Sequence, residues 1–350
     1  MSVLNGINLI FHSIRPGGGM ERYVLDLISG IAGRGIPLRV ITRRLAWPGP
    51  QPKGVEFVVL PDRTPFSRFN NFHFEVRAGR YVQSGWPTIG ISRVPGGADL
   101  AIVGGTHLGH LMDKGKSRPG LFDRLTIRHE RALYRSAHCV VAHSERVRQE
   151  IIQHYDIEPE KTITLYPPVD TTHFSLAARG EREAMRQQIG VKQDELLLLF
   201  PSNNHALKGA DLILKALDGA DARIRLAVAG KVPLNHPGVI NLGFRSDMPA
   251  LYGAADAAIL ASQYEAFGLV GPEAILCGTP VLFADTVGAV EVLSDMACLR
   301  FERTVDSLRA TLAKALARFD AGMLALNEPA EHILYLYSID AHLDALVERL

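Results

Sequence analysis

Short apolar runs alternate with amphipathic segments along nearly the whole chain, the pattern of strands and helices taking turns around parallel sheets. In the first half, NLIFHSI, LRVITRR, VEFVVLP, ADLAIVGG and HCVVAHS read as strands. In the second half, LLLLFPS, IRLAVAG, VINLG, AAILAS and PVLFAD do so. Runs this apolar are buried on both faces, so the pattern speaks against a half-exposed antiparallel sheet and predicts two doubly wound α/β units. Between them lies LYPPVDTTHF, where Pro167 and Pro168 forbid a continuing helix, and EREAMRQQIGV then opens a fresh unit. The hinge is placed there. The expected division is an N-terminal domain over 1–168, a C-terminal domain over 169–335 and a final helix over 336–350 that packs back towards the first domain. Two such halves facing one another leave a cleft at the carboxyl ends of their strands, where sheets of this kind bind ligands.

Composition narrows the class without changing this reading. A chain of 350 residues, 47% hydrophobic and 21% charged, is ordinary soluble protein with room for two cores. Cys139, Cys277 and Cys298 are far apart and each sits in an apolar run, which argues against a disulfide framework and a thiolate metal site. A reducing cytoplasm fits. The start, MSVLNGINLIFHSIRPGGG, has no basic n-region, and no stretch approaches the roughly 20 apolar residues of a span, so neither export nor membrane crossing is expected. The net charge of +1 hides an asymmetry: residues 1–170 hold 22 Lys/Arg against 15 Asp/Glu, and 171–350 hold 16 against 22. An anionic partner for the first half follows, a membrane surface or a phosphorylated acceptor, with chance scatter between two domains as the alternative. No nucleic-acid partner is expected.

Two stretches carry candidate chemistry. Gly17, Gly18 and Gly19 lie where the strand INLIFHSI gives way to a helix with apolar residues at Tyr23, Leu27, Ile28 and Ile31. Their backbone suits close approach to a phosphate or another oxygen-rich anion, and a tight turn reads equally well. The second stretch, YEAFGLVGPEAILCGTPVLFAD, holds Glu265 and Glu273 eight positions apart. The strand AAILAS leads into a loop at 263–267 and a helix from about Gly268 to Cys277, with Pro272 in its first turn and Gly278 after its end. Glu265 then projects from the loop and Glu273 from the early helix. Between them, the N–H groups of Phe267, Gly268, Leu269 and Val270 can receive a phosphate. A ligand with hydroxyls at both ends and a diphosphate in the middle, such as a nucleotide sugar, matches all three features. The alternative makes Glu273 a first-turn residue favoured by the helix dipole and Glu265 a surface residue.

EAFGLVGPEAILCGTPVLFADTVGAVEVL closely resembles the E-x7-E segment of retaining glycosyltransferases of family 4, which have the GT-B fold of two facing Rossmann-like domains. PGGGMERYVLDLISGIAGRGIPLRVIT is similar to the family's glycine loop and first helix, and HCVVAHSERVRQEI to its segment before the hinge. YPPVDTTHF resembles the hinge, with Pro-Pro where Asn-Gly is usual, and LKGADLIL, GFRSDMPALYGAADAAILAS and YSIDAHLDALVERL fit as well. The resemblance implies that Glu273 holds the ribose hydroxyls and that Glu265 faces the transferred sugar. It implies that Phe267 to Val270 offer N–H groups to sugar and diphosphate and that Lys208 neutralises the leaving diphosphate. Five residues before Lys208 the family commonly has arginine and this chain has Asn203, so Arg245 or Arg15 is expected to assist. His107 in VGGTHLGHL occupies the place of the histidine beside the sugar, with His110 close by.

The implied activity is transfer of a hexose, with retention, from a nucleotide-diphosphate sugar (a UDP-hexose by default) to a saccharide or glycolipid acceptor. The nucleotide sugar is a co-substrate and no cofactor is expected. No D-x-D motif occurs, so no metal is expected either. RPGGGMERYVLDLISGIAGRG and IIQHYDIEPEKTITLYPPVD look most like bacterial enzymes that add hexoses to the lipopolysaccharide core, which act at the inner face of the cytoplasmic membrane. Arg43 and Arg44 near Trp47 are the expected contact with anionic lipid. Two rival readings are a UDP-sugar epimerase of the same architecture and a dinucleotide-binding oxidoreductase. The E-x7-E segment argues against the first, and the missing G-x-G-x-x-G spacing against the second.

Overall fold

The computed structural model describes residues 4–115 and 118–350. Contacts divide it into two compact units, the first comprising the chain to Pro168 together with Leu336–Leu350, the second Val169–Tyr335.

The first unit is built on β1 (Ile7–Ile10), β3 (Leu38–Thr42), β5 (Val55–Val59), β6 (Thr88–Gly90), β7 (Leu100–Val103), β8 (Cys139–Ala142) and β9 (Thr162–Thr164). β2 (Ser13–Ile14) and β4 (Arg44–Leu45) form a small parallel pair beside it. The main sheet is wholly parallel in the order β5-β3-β1-β6-β7-β8-β9. Its helices are α1 (Gly19–Gly33), α2 (Ser67–Arg77), α3 (His107–Asp113), α4 (Leu121–Ser136) and α5 (Glu145–Tyr155). Helix α1 buries Tyr23, Val24, Leu27, Ile28 and Ile31, a stripe at helical spacing that shares a core with Leu9, Val40, Ile102 and Val141. The chain returns at its end: the helix Ile339–Val347 seats Leu343 and Leu346 in the same core. There the buried His342 donates from Nδ1 to the Tyr166 carbonyl at 3.1 Å, leaving Nε2 to accept from the Tyr23 hydroxyl at 2.9 Å.

The second unit repeats the scheme with β10 (Leu196–Pro201), β11 (Ile224–Ala229), β12 (Val239–Gly243), β13 (Ala257–Leu260), β14 (Val281–Ala284) and β15 (Cys298–Phe301). Their order is β12-β11-β10-β13-β14-β15, all parallel. Around them stand α6 (Arg182–Gln188), α7 (Ala210–Leu217), α8 (Met248–Ala254), α9 (Val270–Leu276) and α10 (Val305–Asp320). The central strands β10, β13 and β14 are buried almost throughout, as continuous Leu, Ile, Val and Ala runs require.

Strands β6, β9 and β15 were not expected from the pattern. β6 is three residues long, follows Pro87 and begins with threonine, yet it pairs with both β1 and β7 in the middle of the sheet. β9 (TIT) and β15 (CLRF) are edge strands whose polar residues break the apolar run.

Candidate active site

In the second unit the winding reverses between β10 and β13, and the loops leaving these adjacent strands flank the crevice where open α/β sheets bind ligands. The two loops are tied by their backbones. Ala261 N–H donates to the Lys208 carbonyl at 3.3 Å and Gln263 N–H to that of Leu207 at 3.2 Å. So close an approach needs Gly209, whose φ is +74° and on which a Cβ would lie 2.0 Å from the Ala261 carbonyl oxygen. The result is that Lys208 Nζ stands 3.6 Å from Glu265 Oε2, each side chain about a quarter exposed. Ser262 Oγ donates to the same oxygen at 3.4 Å. An ion pair this open contributes at most about 1 kcal/mol, so stability alone does not account for holding it on two glycine-dependent loops.

Glu265 is pinned from behind as well. Gly288 N–H donates to its carbonyl at 2.9 Å, and Ala289 N–H to that of Phe267 at 2.7 Å. Helix α9 starts at Val270, two residues later than expected, because Gly268 has a φ of +99° and turns the chain instead of joining the helix. Phe267 is buried with its ring edge-on to Tyr335, Gly268 is buried and Leu269 is half-buried. Glu273 falls in the first turn, where its Oε2 accepts from the Tyr252 hydroxyl at 3.2 Å. The helix stops at Cys277, and Gly278 follows at φ +79°. Lys208, Glu265 and Glu273 thus come from two loops and one helix start that follow the carboxyl ends of the central strands β10 and β13.

The expected helper cations fare differently. Arg245 forks onto Asp247, with Nε to Oδ1 at 2.7 Å and a second bond through Nη2, so its charge is already met and the Asp247 carboxyl is held below its usual range by that hydrogen bond. Asn203 and Arg15 are exposed. Arg303, which no sequence motif marks, donates from Nε to the Ala261 carbonyl at 2.9 Å and so brings a second cation to the Lys208–Glu265 loops. It comes from beyond β15, the strand that the pattern missed.

In the first unit Gly18 caps α1, and Gly17 and Gly18 are exposed. Glu21 of the first turn folds back over them: a Cβ on Gly17 would lie 3.1 Å from its side chain and one on Gly18 3.3 Å from its carboxyl oxygen. An anion here meets a carboxylate, which weakens the loop as a phosphate cradle and favours donors such as hydroxyls.

His107 opens α3, and its position is over-determined. Its Nε2 lies 3.0 Å from Asp123 Oδ1, and its backbone N–H donates to the Glu130 carboxyl at 3.2 Å. Leu108 N–H donates to the Tyr155 hydroxyl, which in turn donates to Glu130, and Gly109 N–H donates to Thr106 Oγ1. Burial pushes the Glu130 carboxyl up to about 7 against the Tyr155 hydrogen bond and the Arg93 charge, which pull it down. His110 lies one turn along α3, and burial lowers its pKa.

At the winding reversal of this sheet, between β1 and β6, the structure gathers three residues absent from the expectations. His12 Nδ1 is 3.1 Å from Ser92 Oγ, and Arg93 pairs with the buried Glu75 at 2.9 Å. Burial, then Arg93 and Arg43, lower the His12 pKa to about 4, so it is neutral at physiological pH. Ser92 and Arg93 follow β6, so a reader who misses that strand cannot see that they reach the site.

One expectation is overturned for Arg43, while Arg44 beside it is exposed. Arg43 is buried, 5% exposed, and pairs with Asp62 at 2.9 Å; Arg44 meets the same carboxylate at 3.0 Å. Arg43 therefore cannot present its charge to a lipid surface, because the segment after β3 tucks its guanidinium inside.

Residues 17–173 match the family described as Glycosyltransferase Family 4, and residues 181–318 match Glycosyl transferases group 1. A probable transglycosylase of Burkholderia thailandensis is 36% identical over 352 residues, covering 98% of this chain and 96% of that one. The lipopolysaccharide glucosyltransferase WaaG of Escherichia coli is 26% identical, with 91% of each chain covered. A crystal structure of WaaG, a glycosyltransferase involved in lipopolysaccharide biosynthesis, superposes with a TM-score of 0.77 at 21% identity over 96% of this chain and 98% of that one. Anabaena HepE in complex with UDP and glucose does so at 0.72 and 18% identity, with 98% of each chain covered. The structural likenesses establish the fold, GT-B.

Proposed function

The chain belongs to glycosyltransferase family 4, and on that premise we propose that it is a retaining hexosyltransferase using a nucleotide-diphosphate sugar, by default a UDP-hexose. The observation that carries this is the meeting of Lys208 and Glu265 across the β10 and β13 loops, with Glu273 at the start of the following helix. Glu273 takes the ribose hydroxyls. Phe267 to Val270 offer N–H groups to the sugar and diphosphate, and Glu265 faces the transferred hexose. Lys208 meets the charge that grows on the departing diphosphate, with Arg303, bonded to the Ala261 carbonyl, as a second cation. An acceptor hydroxyl bonds to the anomeric carbon on the face that the diphosphate vacates, the carbon–oxygen bond to phosphate breaks, and the hydroxyl proton passes to a phosphate oxygen. The protein supplies preorganised positive charge, no strong base and no metal ion. For His107, fixed by Asp123 and Glu130, the role proposed is contact with the sugar, and for the first unit it is recognition of the acceptor.

The relationship to WaaG supports a glycolipid of the lipopolysaccharide core as acceptor, met at the inner face of the cytoplasmic membrane. Among the described residues no helix is long and apolar enough to cross a membrane, so a peripheral enzyme is the form this takes. The test is a screen of UDP-, GDP- and ADP-hexoses for thermal shift and slow hydrolysis with EDTA present. One donor that raises the melting temperature and is hydrolysed supports the reading. Donors that act only when a divalent cation is restored overturn the metal-free scheme.

A further inference from the structure

Glu273, the carboxylate proposed to take the ribose hydroxyls, stands in the first turn of α9, where the unpaired N–H groups of a helix start draw a carboxylate back onto its own helix. Folded back in that way it would not face a ribose. Tyr252, on α8 and 1% exposed, supplies the opposing contact: its hydroxyl donates to Glu273 Oε2 at 3.2 Å. The same residue meets the far end of α9, since its carbonyl accepts from Thr279 Oγ1 at 2.7 Å. One tyrosine thus spans α9 from just past its end to its first turn. Phe174 packs against the ring at 5.9 Å, and burial this complete leaves the ring no room to turn.

Behind Tyr252 the end of α8 is clasped. Arg182 Nη1 donates to the carbonyls of Gly253, Ala254 and Ala255 at 3.2, 2.8 and 2.9 Å, and Arg186 Nη1 to that of Ala254 at 3.2 Å. Both arginines are anchored on Asp256. Gly253 lets the segment before α6 come close, since a Cβ there would lie 2.4 Å from the Ala178 carbonyl oxygen. Support of this kind locks the geometry of the groups in front of it, which is what precise recognition requires. An ionised carboxylate offers about four lone-pair sites, so one bond from a tyrosine is compatible with two from a diol. The geometry points to Tyr252 as a positioning residue for donor recognition. It holds the Glu273 carboxylate turned towards the ribose, and so makes the enzyme favour donors built on ribonucleoside diphosphates over those built on deoxyribonucleosides. This inference rests on the ribose role of Glu273.

The experiment is calorimetry on the full chain with UDP, GDP and ADP, and with the 2′,3′-dideoxy form of whichever binds tightest. Tyr252→Phe keeps the ring and removes only the hydroxyl. It is expected to weaken the ribonucleoside diphosphate at least about fivefold, somewhat less than loss of a direct hydrogen bond to a charged group, because the contact acts through Glu273. The dideoxy form, lacking the hydroxyls that Glu273 takes, is expected to bind wild type and variant within about twofold. A merely structural role would weaken both forms alike, and retained binding of the dideoxy form shows that the variant is folded. In the Glu273→Ala background Tyr252→Phe is expected to change nothing further, since two groups acting through one contact are not additive. Equal weakening of both forms, no weakening of either, or full additivity with Glu273→Ala would each overturn the proposal. Glu273→Ala separates the two levels of failure. If it leaves binding intact, the ribose reading falls and this inference with it, as also happens if none of the three diphosphates binds; if it weakens binding and Tyr252→Phe does not, this inference alone fails.

Discussion

The two units share one architecture and differ in what they bury. In the second, the deep carboxylate Asp256 is saturated by Arg182, Arg186 and the Leu197 N–H, and the groups proposed for chemistry stand at the rim, partly open. In the first, titratable groups fill the interior: His143 and His342 beside Tyr23, and Glu75, His129, Glu130 and Tyr155 behind the His107 loop. A nucleotide diphosphate is much the same from one enzyme to the next and can be held by loops on an apolar sheet. An acceptor is particular, and the unit proposed to hold it spends buried polar contacts on fixing one histidine and one arginine.

The largest test of this contrast is pH. Burial lowers His143 to about 3 and His342 to about 4, so both are neutral in the fold and charged in the unfolded chain below about 6.5. Their contribution is complete above the unfolded pKa and is lost as pH falls towards 4, on the order of 4 kcal/mol together by pH 4.5. Glu130, raised to about 7, runs the other way, since its penalty is relieved as pH falls from 7, and it offsets part of that loss. In the second unit Asp247, lowered by its bond to Arg245, loses its contribution only below the ordinary carboxylate range. Both tryptophans, Trp47 and Trp86, lie in the first unit, so urea unfolding followed by tryptophan fluorescence reads that unit alone. Its midpoint should drop between pH 6.5 and 4.5. A midpoint that holds steady while the global circular-dichroism signal collapses would reverse the assignment of the weak unit.

Chemistry provides the next test. Lys208→Ala should lower turnover by roughly two orders of magnitude or more, close to 3 kcal/mol, with EDTA leaving wild-type transfer intact. Abolition by EDTA with little effect of the substitution would break the scheme. Glu273→Ala should weaken nucleoside diphosphate binding at least about tenfold, since a charged acceptor of hydrogen bonds is worth roughly 1.5–3 kcal/mol per bond. Calorimetry reads it, and equal affinity removes the ribose role.

The smallest effect belongs to the first unit and sharpens the comparison. Asp123 is a positioning residue, touching His107 and, through the Gly120 N–H, the cap of α4. Asp123→Asn keeps both contacts in shape and loses the charge. It should lower kcat several-fold, about 1 kcal/mol, with the donor KM unchanged and the pH–rate profile shifted. An altered donor KM with an unmoved profile would mark Asp123 as structural only.

Much of this was legible in sequence, for reasons that are local. Apolar runs such as LLLLF and AAIL, alternating with amphipathic segments and bounded by turn residues, read as strands, and their burial on both faces already implied parallel sheets. Tyr23, Leu27, Ile28 and Ile31 mark one helix face by spacing alone. Glu273 in a first turn and Gly278 past its end follow from Pro272 and the apolar segment between. What the sequence could not carry depends on contacts between segments far apart in the chain. Strand β6 exists because β1 and β7 pair with it on both sides, not because TIG favours a strand. Lys208 meets Glu265 only because Gly209 lets one backbone come against another. The same distance hid charge and exposure: Arg43 is swallowed by a pair with Asp62, while Phe66, Phe69 and Phe72, hydrophobic enough for any core, are left facing outward. Periodicity tells which residues share a face of one element, and only the packing of elements decides which face meets the core, the ligand or the solvent.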